Sequence, residues 1–239
     1  MTTPFYELPL LSLDTETTGV DVFTDRVVTC NITYDYPDGR DPFIADWIIN
    51  PGVPIPQGAS DVHGITDEIA QRDGGDPFTV LTNVAQHLKY WGDLGLPYVI
   101  YNASFDTTIL MAEFDRYGIP QPTGWNCVID PLVLDKGVEP YRKGSRKLID
   151  TARHYGIELS EEDAHSANFD SMASVKISRA IGRKYEIDSP LDEVHAQQVI
   201  WKAKQAKGLQ DYFRKSKNDD TIVINGEWPF QTRELTPTF

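Results

Sequence analysis

Leu10-Leu11-Ser12-Leu13-Asp14-Thr15-Glu16-Thr17-Thr18-Gly19 sets two carboxylates two residues apart at the end of an apolar run, and a turn of small residues follows at once. Side chains alternate across a strand, so Asp14 and Glu16 share one face while Thr15 points to the other. Like charges held side by side repel, and a fold tolerates such a pair when a cation sits between them. The stretch predicts a strand ending in a divalent-metal site. Asp-x-Glu alone does not separate that reading from a solvated strand end, so the rest of the chain decides.

Working outward, Arg26 to Tyr36 alternates Val, Thr, Ile and Tyr, Pro37-Asp38-Gly39 supplies a turn, and Pro42 to Ile49 reads as the returning strand of a hairpin. Asp76-Pro77 opens a helix with a capping acid and a first-turn proline, and Val80, Val84, Leu88 and Trp91 recur on one face. A short buried strand follows at Pro97–Tyr101, then a helix from Ala103 to Tyr117 stopped by Gly118 and Pro120. Further expectations are a strand at Trp125–Ile129, a helical turn at Pro131–Leu134, and helices at Ser145–Tyr155 and Phe169–Tyr185. A meander followed by strands alternating with helices is an α/β fold, a mixed sheet of about five strands flanked by helices. Beyond it, a C-terminal helical extension runs from Pro190 to about Ser216, Thr221–Asn225 is strand-like, and the tail is expected on the surface. The expected division is residues 1–185 as one domain and 186–239 as a helix and tail packed on or beside it.

The chain has 239 residues, enough for one sizeable domain with a full core. No run approaches the roughly 18 apolar residues that span a bilayer, and the N-terminus carries no basic segment followed by an apolar one, so a soluble, cytoplasmic protein with no membrane partner is the expectation. Cys30 and Cys127 are too few for a disulfide framework or a zinc cage. A formal net charge of −14 argues against a protein that coats long stretches of duplex, but not against one that grips a strand end. Lys202, Lys204, Lys207, Arg214, Lys215 and Lys217 crowd one segment, which reads either as a solvated helix face or as a substrate or partner contact.

Two more groupings join Asp14 and Glu16. Asn102-Ala-Ser-Phe-Asp106 follows an apolar strand where a helix opens, and the spacing of four puts Asn102 and Asp106 on one helical face, with Asp106 as a surface-facing first-turn acid. His165-Ser-Ala-Asn-Phe-Asp170 marks the start of a later helix. Four acids, one histidine and no cysteine make a hard, oxygen-rich set that suits Mg²⁺ or Mn²⁺. Two such ions serve in-line displacement at a phosphodiester, and an imidazole is matched to take the proton of the attacking water.

With Val62-His63-Gly64-Ile65-Thr66 between the first and second groupings, residues 8 to 182 resemble the DnaQ-like, or DEDDh, 3′-to-5′ exonucleases, a superfamily that includes the epsilon proofreading subunit of bacterial replicative polymerase, ribonuclease T and oligoribonuclease. The resemblance implies the ribonuclease H-like fold, two divalent ions held by Asp14, Glu16, Asp106 and Asp170, and His165 as general base. It also implies that backbone near Thr17 and Thr18 receives the terminal 3′-hydroxyl, that Val20 and Phe105 flank the last base, and that His63 and Asn102 are substrate contacts. Ser171 stands where relatives often carry Ala. The segment from Pro190 to Phe239 is similar to the tails of DnaQ-like exonucleases from actinobacteria and their phages. The expected activity is removal of nucleoside monophosphates from the 3′ end of single-stranded nucleic acid, DNA favoured, with a DNA polymerase as a possible partner. The alternative is an end-binding or polymerase-docking module in which catalysis is incidental.

Overall fold

The computed structural model describes residues 3–122, 124–125, 127–158 and 167–233. Five strands form one sheet in the order β3-β2-β1-β4-β5. β1 (Leu10–Thr17), β2 (Val27–Asp35) and β3 (Phe43–Ile48) are the antiparallel meander, and β4 (Tyr98–Val99) and β5 (Val128–Ile129) add in parallel on the other side of β1.

Strand alternation sorts the core into two layers. Leu11, Leu13, Tyr98 and Val128 face α3 (Pro77–Asp93) and α4 (Ser104–Tyr117), meeting Leu88, Trp91, Leu110 and Phe114. Leu10, Val99 and Ile129 face the opposite layer of α5 (Pro131–Val138), α6 (Leu148–His154) and α7 (Ala167–Lys184), through Leu134, Ala152, Val175 and Ile181. Ser171, Ser174 and Ser178 recur on α7, all buried, and these small side chains let that helix lie close on β1 and β2. Arg179 then ties the helix down, bonding the Asp35 carboxylate and the Tyr6 and Leu8 carbonyls.

The sequence expectations hold for the mixed sheet, the hairpin and the principal helices. Two short helices, α1 (Gln57–His63) and α2 (Asp67–Asp73), are additional, and β5 is shorter than the Trp125–Ile129 run. Each additional helix has only seven residues, too few for an apolar stripe to declare itself.

Thr221–Asn225 is not a strand, because side chains of α8 (Leu191–Lys217) take its backbone groups: Arg214 donates to the Ile222 carbonyl and Gln210 accepts from Ile224 N–H. The tail is not wholly at the surface either. Trp228 is buried, Phe230 meets the edge of Trp125, and Gln231 N–H donates to Thr108 Oγ1 on α4. α8 itself lies against α5, where the buried Gln198 accepts from Asp130 N–H and donates to the Val128 carbonyl. Among the described residues no helix is long and apolar enough to cross a membrane.

Candidate active site

β4 pairs with β1 only at Leu11–Tyr98 and Ser12–Val99, so the edge of β1 is left without a strand partner as it approaches Thr15. An exposed ladder edge must find other partners. Asp106, in the first turn of α4, supplies one: its Oδ1 accepts the Thr15 backbone N–H at 3.0 Å and the Thr15 hydroxyl at 2.7 Å. Thr15 points to the α4 face, opposite to Asp14 and Glu16, which is what lets its hydroxyl meet an acid arriving from that layer. Asp106 is buried, not the surface-facing acid expected.

Asp14 and Glu16 share the parity of Leu10 and so face the layer of α7, whose first turn carries Asp170. The four carboxylates sense one another. Burial lifts Asp14 well above the usual carboxylate range, and the charges of Asp106, Asp170 and Glu16 lift it further. Burial and then Asp170 push Glu16 up to about 7. Burial also raises Asp106, against the pull of its two Thr15 hydrogen bonds. Four acids whose negative charges oppose one another at the end of one strand form an all-oxygen donor set that fits a hard divalent cation. The described residues whose ligand atoms lie within 4.8 Å of one another are a different grouping, Asp135, Glu139 and His154. There Asp135 is already bonded by Arg142, Arg146 and Tyr155, and Glu139 by Lys184 and Tyr185.

The expected substrate residues have varied surroundings. Thr17 Oγ1 donates to the Gly19 carbonyl at 2.6 Å, and the Thr18 N–H donates to the Arg26 carbonyl. A Cβ at Gly19 would fall 2.4 Å from the Asp25 carboxylate that bonds Thr18 Oγ1, so a larger residue there displaces that side chain. Val20 next to it is 89% exposed, an apolar side chain held out in solvent. His63 closes α1 before Gly64 (φ 76°). Its Nδ1 accepts from Ile65 N–H, its buried Nε2 has no hydrogen-bond partner among the described residues, and burial holds it below the ordinary 6.5 against an opposing interaction with the Thr17 backbone. Phe105 is half-buried on the main core. Asn102 does not share a helical face with Asp106: it precedes α4, is exposed, and has φ 61°, a left-handed conformation that Asn tolerates better than most residues. His165 lies outside the described residues.

Two residues of the site were not singled out from the sequence. Thr15 is one. The other is Asp130, wholly buried, whose Oδ1 accepts from the N–H groups of Asn102, Leu132 and Val133 and whose Oδ2 accepts from Ala103 N–H and the Trp228 indole. It caps α5 and fixes the turn that launches Asp106. Its signal was present in Asp130-Pro131, the same capping-acid and proline pair read correctly at Asp76-Pro77.

Residues 11–178 match the family model RNase_T, described as exonuclease. An uncharacterized exonuclease, CP81, of Escherichia phage 186 is 27% identical over 190 residues, covering 72% of this chain and 87% of its own length. The PolC-type DNA polymerase III of Streptococcus mutans is 28% identical over 171 residues, 72% of this chain but 11% of the polymerase. Among solved structures, E. coli exonuclease I in complex with a dT13 oligonucleotide superimposes with a TM-score of 0.58 at 19% identity, covering 75% of this chain and 43% of that one. Exonuclease X in complex with 5′ overhanging duplex DNA gives 0.54 at 21% identity, covering 78% and 99%. The matched residues span the whole meander, the β4–α4 turn and most of α7, and the chain belongs to this RNase T/DnaQ-like exonuclease family of phosphodiester hydrolases.

Proposed function

We propose that the protein is a metal-dependent 3′-to-5′ exonuclease that removes nucleoside monophosphates from the end of single-stranded nucleic acid, with DNA favoured. What supports this reading is the family match together with the placing of Asp14 and Glu16 on one face of β1, of Asp106 against Thr15 between them, and of Asp106, Asp170 and Glu16 near enough for their charges to raise the proton affinity of Asp14. Two divalent ions, Mg²⁺ or Mn²⁺, held by these residues would supply a clamp on the attacking and leaving oxygens and offset the charge that builds on phosphorus.

The chain's own residues do the rest. Thr15 keeps Asp106 Oδ1 occupied and so fixes which oxygen the acid turns toward the cluster. Val20 and Phe105 flank the terminal base, while Thr17, Thr18, His63 and Asn102 line the path of its sugar and phosphate. His165 accepts the proton of the attacking water, a role supported by its place five residues before Asp170 and by the match of imidazole to neutral pH.

Likeness to a segment of a replicative DNA polymerase supports DNA over RNA and a proofreading setting with a polymerase partner. A 5′-labelled oligonucleotide incubated with Mg²⁺, with EDTA, and with Asp14→Ala tests the reading. A ladder of shortened products is expected in the first case alone. Its absence in all three would favour an end-binding module.

A further inference from the structure

A groove of about 570 Å³ runs between α5 and α8, outside the carboxylate cluster. Its walls carry Lys136, Lys202 and Lys204 together with Trp201, Tyr141 and Tyr212, and among the described residues no Asp or Glu lines it, in a chain whose formal net charge is −14. Lys136 and Lys202 form no ion pair with any described residue, while Lys89, Lys184 and Lys207 each have a carboxylate partner. The two unpaired ammonium groups also work against each other: burial and then the Lys202 charge lower the proton affinity of Lys136.

The aromatic components are equally specific. Tyr141 is 94% exposed and Tyr212 is 64% exposed, rings held out with little core to cover them. The Trp201 indole lies directly on the backbone of α5, because a Cβ at Gly137 would meet that ring at 2.4 Å. A glycine inside a helix costs about 1 kcal/mol against alanine, and here it lets the groove floor be an aromatic plane.

One lining residue reaches the turn that precedes Asp106. Lys202 acts electrostatically on Asp130, whose carboxylate holds the Asn102 and Ala103 N–H groups at the turn before Asp106. From Lys202 to Tyr212 the helix rises about 15 Å.

Resting on the exonuclease reading above, we propose that this groove carries the single strand behind its reacting end, with phosphates on Lys136 and Lys202 and bases against the exposed aromatic rings. Cationic side chains interleaved with aromatic ones hold a single strand without reading its sequence.

The test measures binding separately from hydrolysis. Fluorescein-labelled dT4 and dT12 are titrated in EDTA across a salt series by anisotropy, and their degradation in Mg²⁺ is followed in parallel. Wild type should bind dT12 at least about tenfold more tightly than dT4. K136Q/K202Q should lose that advantage and lower the salt slope by about 1.4, two contacts at about 0.7 each. K204Q/Y212A, altering two exposed side chains, should show the same loss in weaker form and guards against misfolding of the first variant. Wild-type affinity and slope for dT12 in both variants would overturn the groove and leave the exonuclease reading intact. Binding of dT12 with the expected slope but no degradation by wild type would retain the groove and sink the exonuclease reading.

Discussion

Asp106 accepts both the backbone N–H and the hydroxyl of Thr15 through a single oxygen, Oδ1, at 3.0 and 2.7 Å. One carboxylate therefore closes the open edge of β1 and leaves its second oxygen for the acidic cluster. Asp106→Asn keeps an oxygen for Thr15 but removes the charge, so it should abolish turnover with little change in melting temperature. Asp106→Ala should do both, leaving the Thr15 N–H unsatisfied at a cost of about 1–3 kcal/mol. Thr15→Val, which deletes only the hydroxyl, should lower kcat about tenfold at unchanged KM. Denaturant melts beside steady-state rates read all three; a fully active Asp106→Asn would remove that acid from the site.

Asp130 accepts five hydrogen bonds, and burial raises its proton affinity against the opposing charge of Lys202. In Asp130→Asn one oxygen can still serve Asn102, Leu132 and Val133, but an amide NH₂ then confronts the Ala103 N–H and the Trp228 indole. Two donors facing a donor should destabilise the fold by about 2–4 kcal/mol. The Asn102 turn should loosen with it, lowering kcat more than KM. Wild-type stability in this variant would show that the buried carboxylate organises nothing.

Ser171 follows Asp170 and is completely buried, with no hydrogen-bond partner for its hydroxyl among the described residues. A buried hydroxyl without a partner costs about 1–3 kcal/mol. Ser171→Ala should therefore stabilise the protein by about 1 kcal/mol with activity unchanged. A loss of stability in thermal melts would reveal a partner for that oxygen.

His195 on α8 accepts the Val128 N–H through Nδ1 at 3.1 Å and lies against the Trp228 ring. Burial holds it below its ordinary 6.5. Because the folded ring resists a proton that the unfolded ring accepts, its contribution to stability is complete above about pH 6.5 and is lost as pH falls below that value. Denaturant midpoints should drop between pH 7 and 5.5, and drop less in His195→Gln. Identical pH profiles would remove this histidine as a cause.

His165, as the proposed base, must be unprotonated to act. The rate should climb as pH rises through the imidazole range and then level, and His165→Ala should be slower by at least about 100-fold, within the usual worth of a general base, with that climb gone. A variant that keeps the wild-type profile would reassign the proton transfer.

Much of this molecule is legible along the chain because its signals are local. The meander declared itself through period-two alternation and the turn at Pro37-Asp38-Gly39, and α3 and α4 through capping residues and terminal glycine. Asp14 and Glu16 could be paired on one face for the same reason, since strand geometry alone fixes parity. The Thr221–Asn225 reading failed because a strand needs a neighbouring edge, and side chains of α8 took those backbone groups instead.

The sequence by itself determined the order of the acids, the faces of β1 and the all-oxygen chemistry of the cluster. Only the tertiary structure decided that Asp106 is a buried partner of Thr15, that Asp130 holds the turn, and that Trp228 belongs to the core. Those three facts depend on where β4 stops and where α8 and the tail pack, contacts between residues far apart in the chain that no local periodicity encodes.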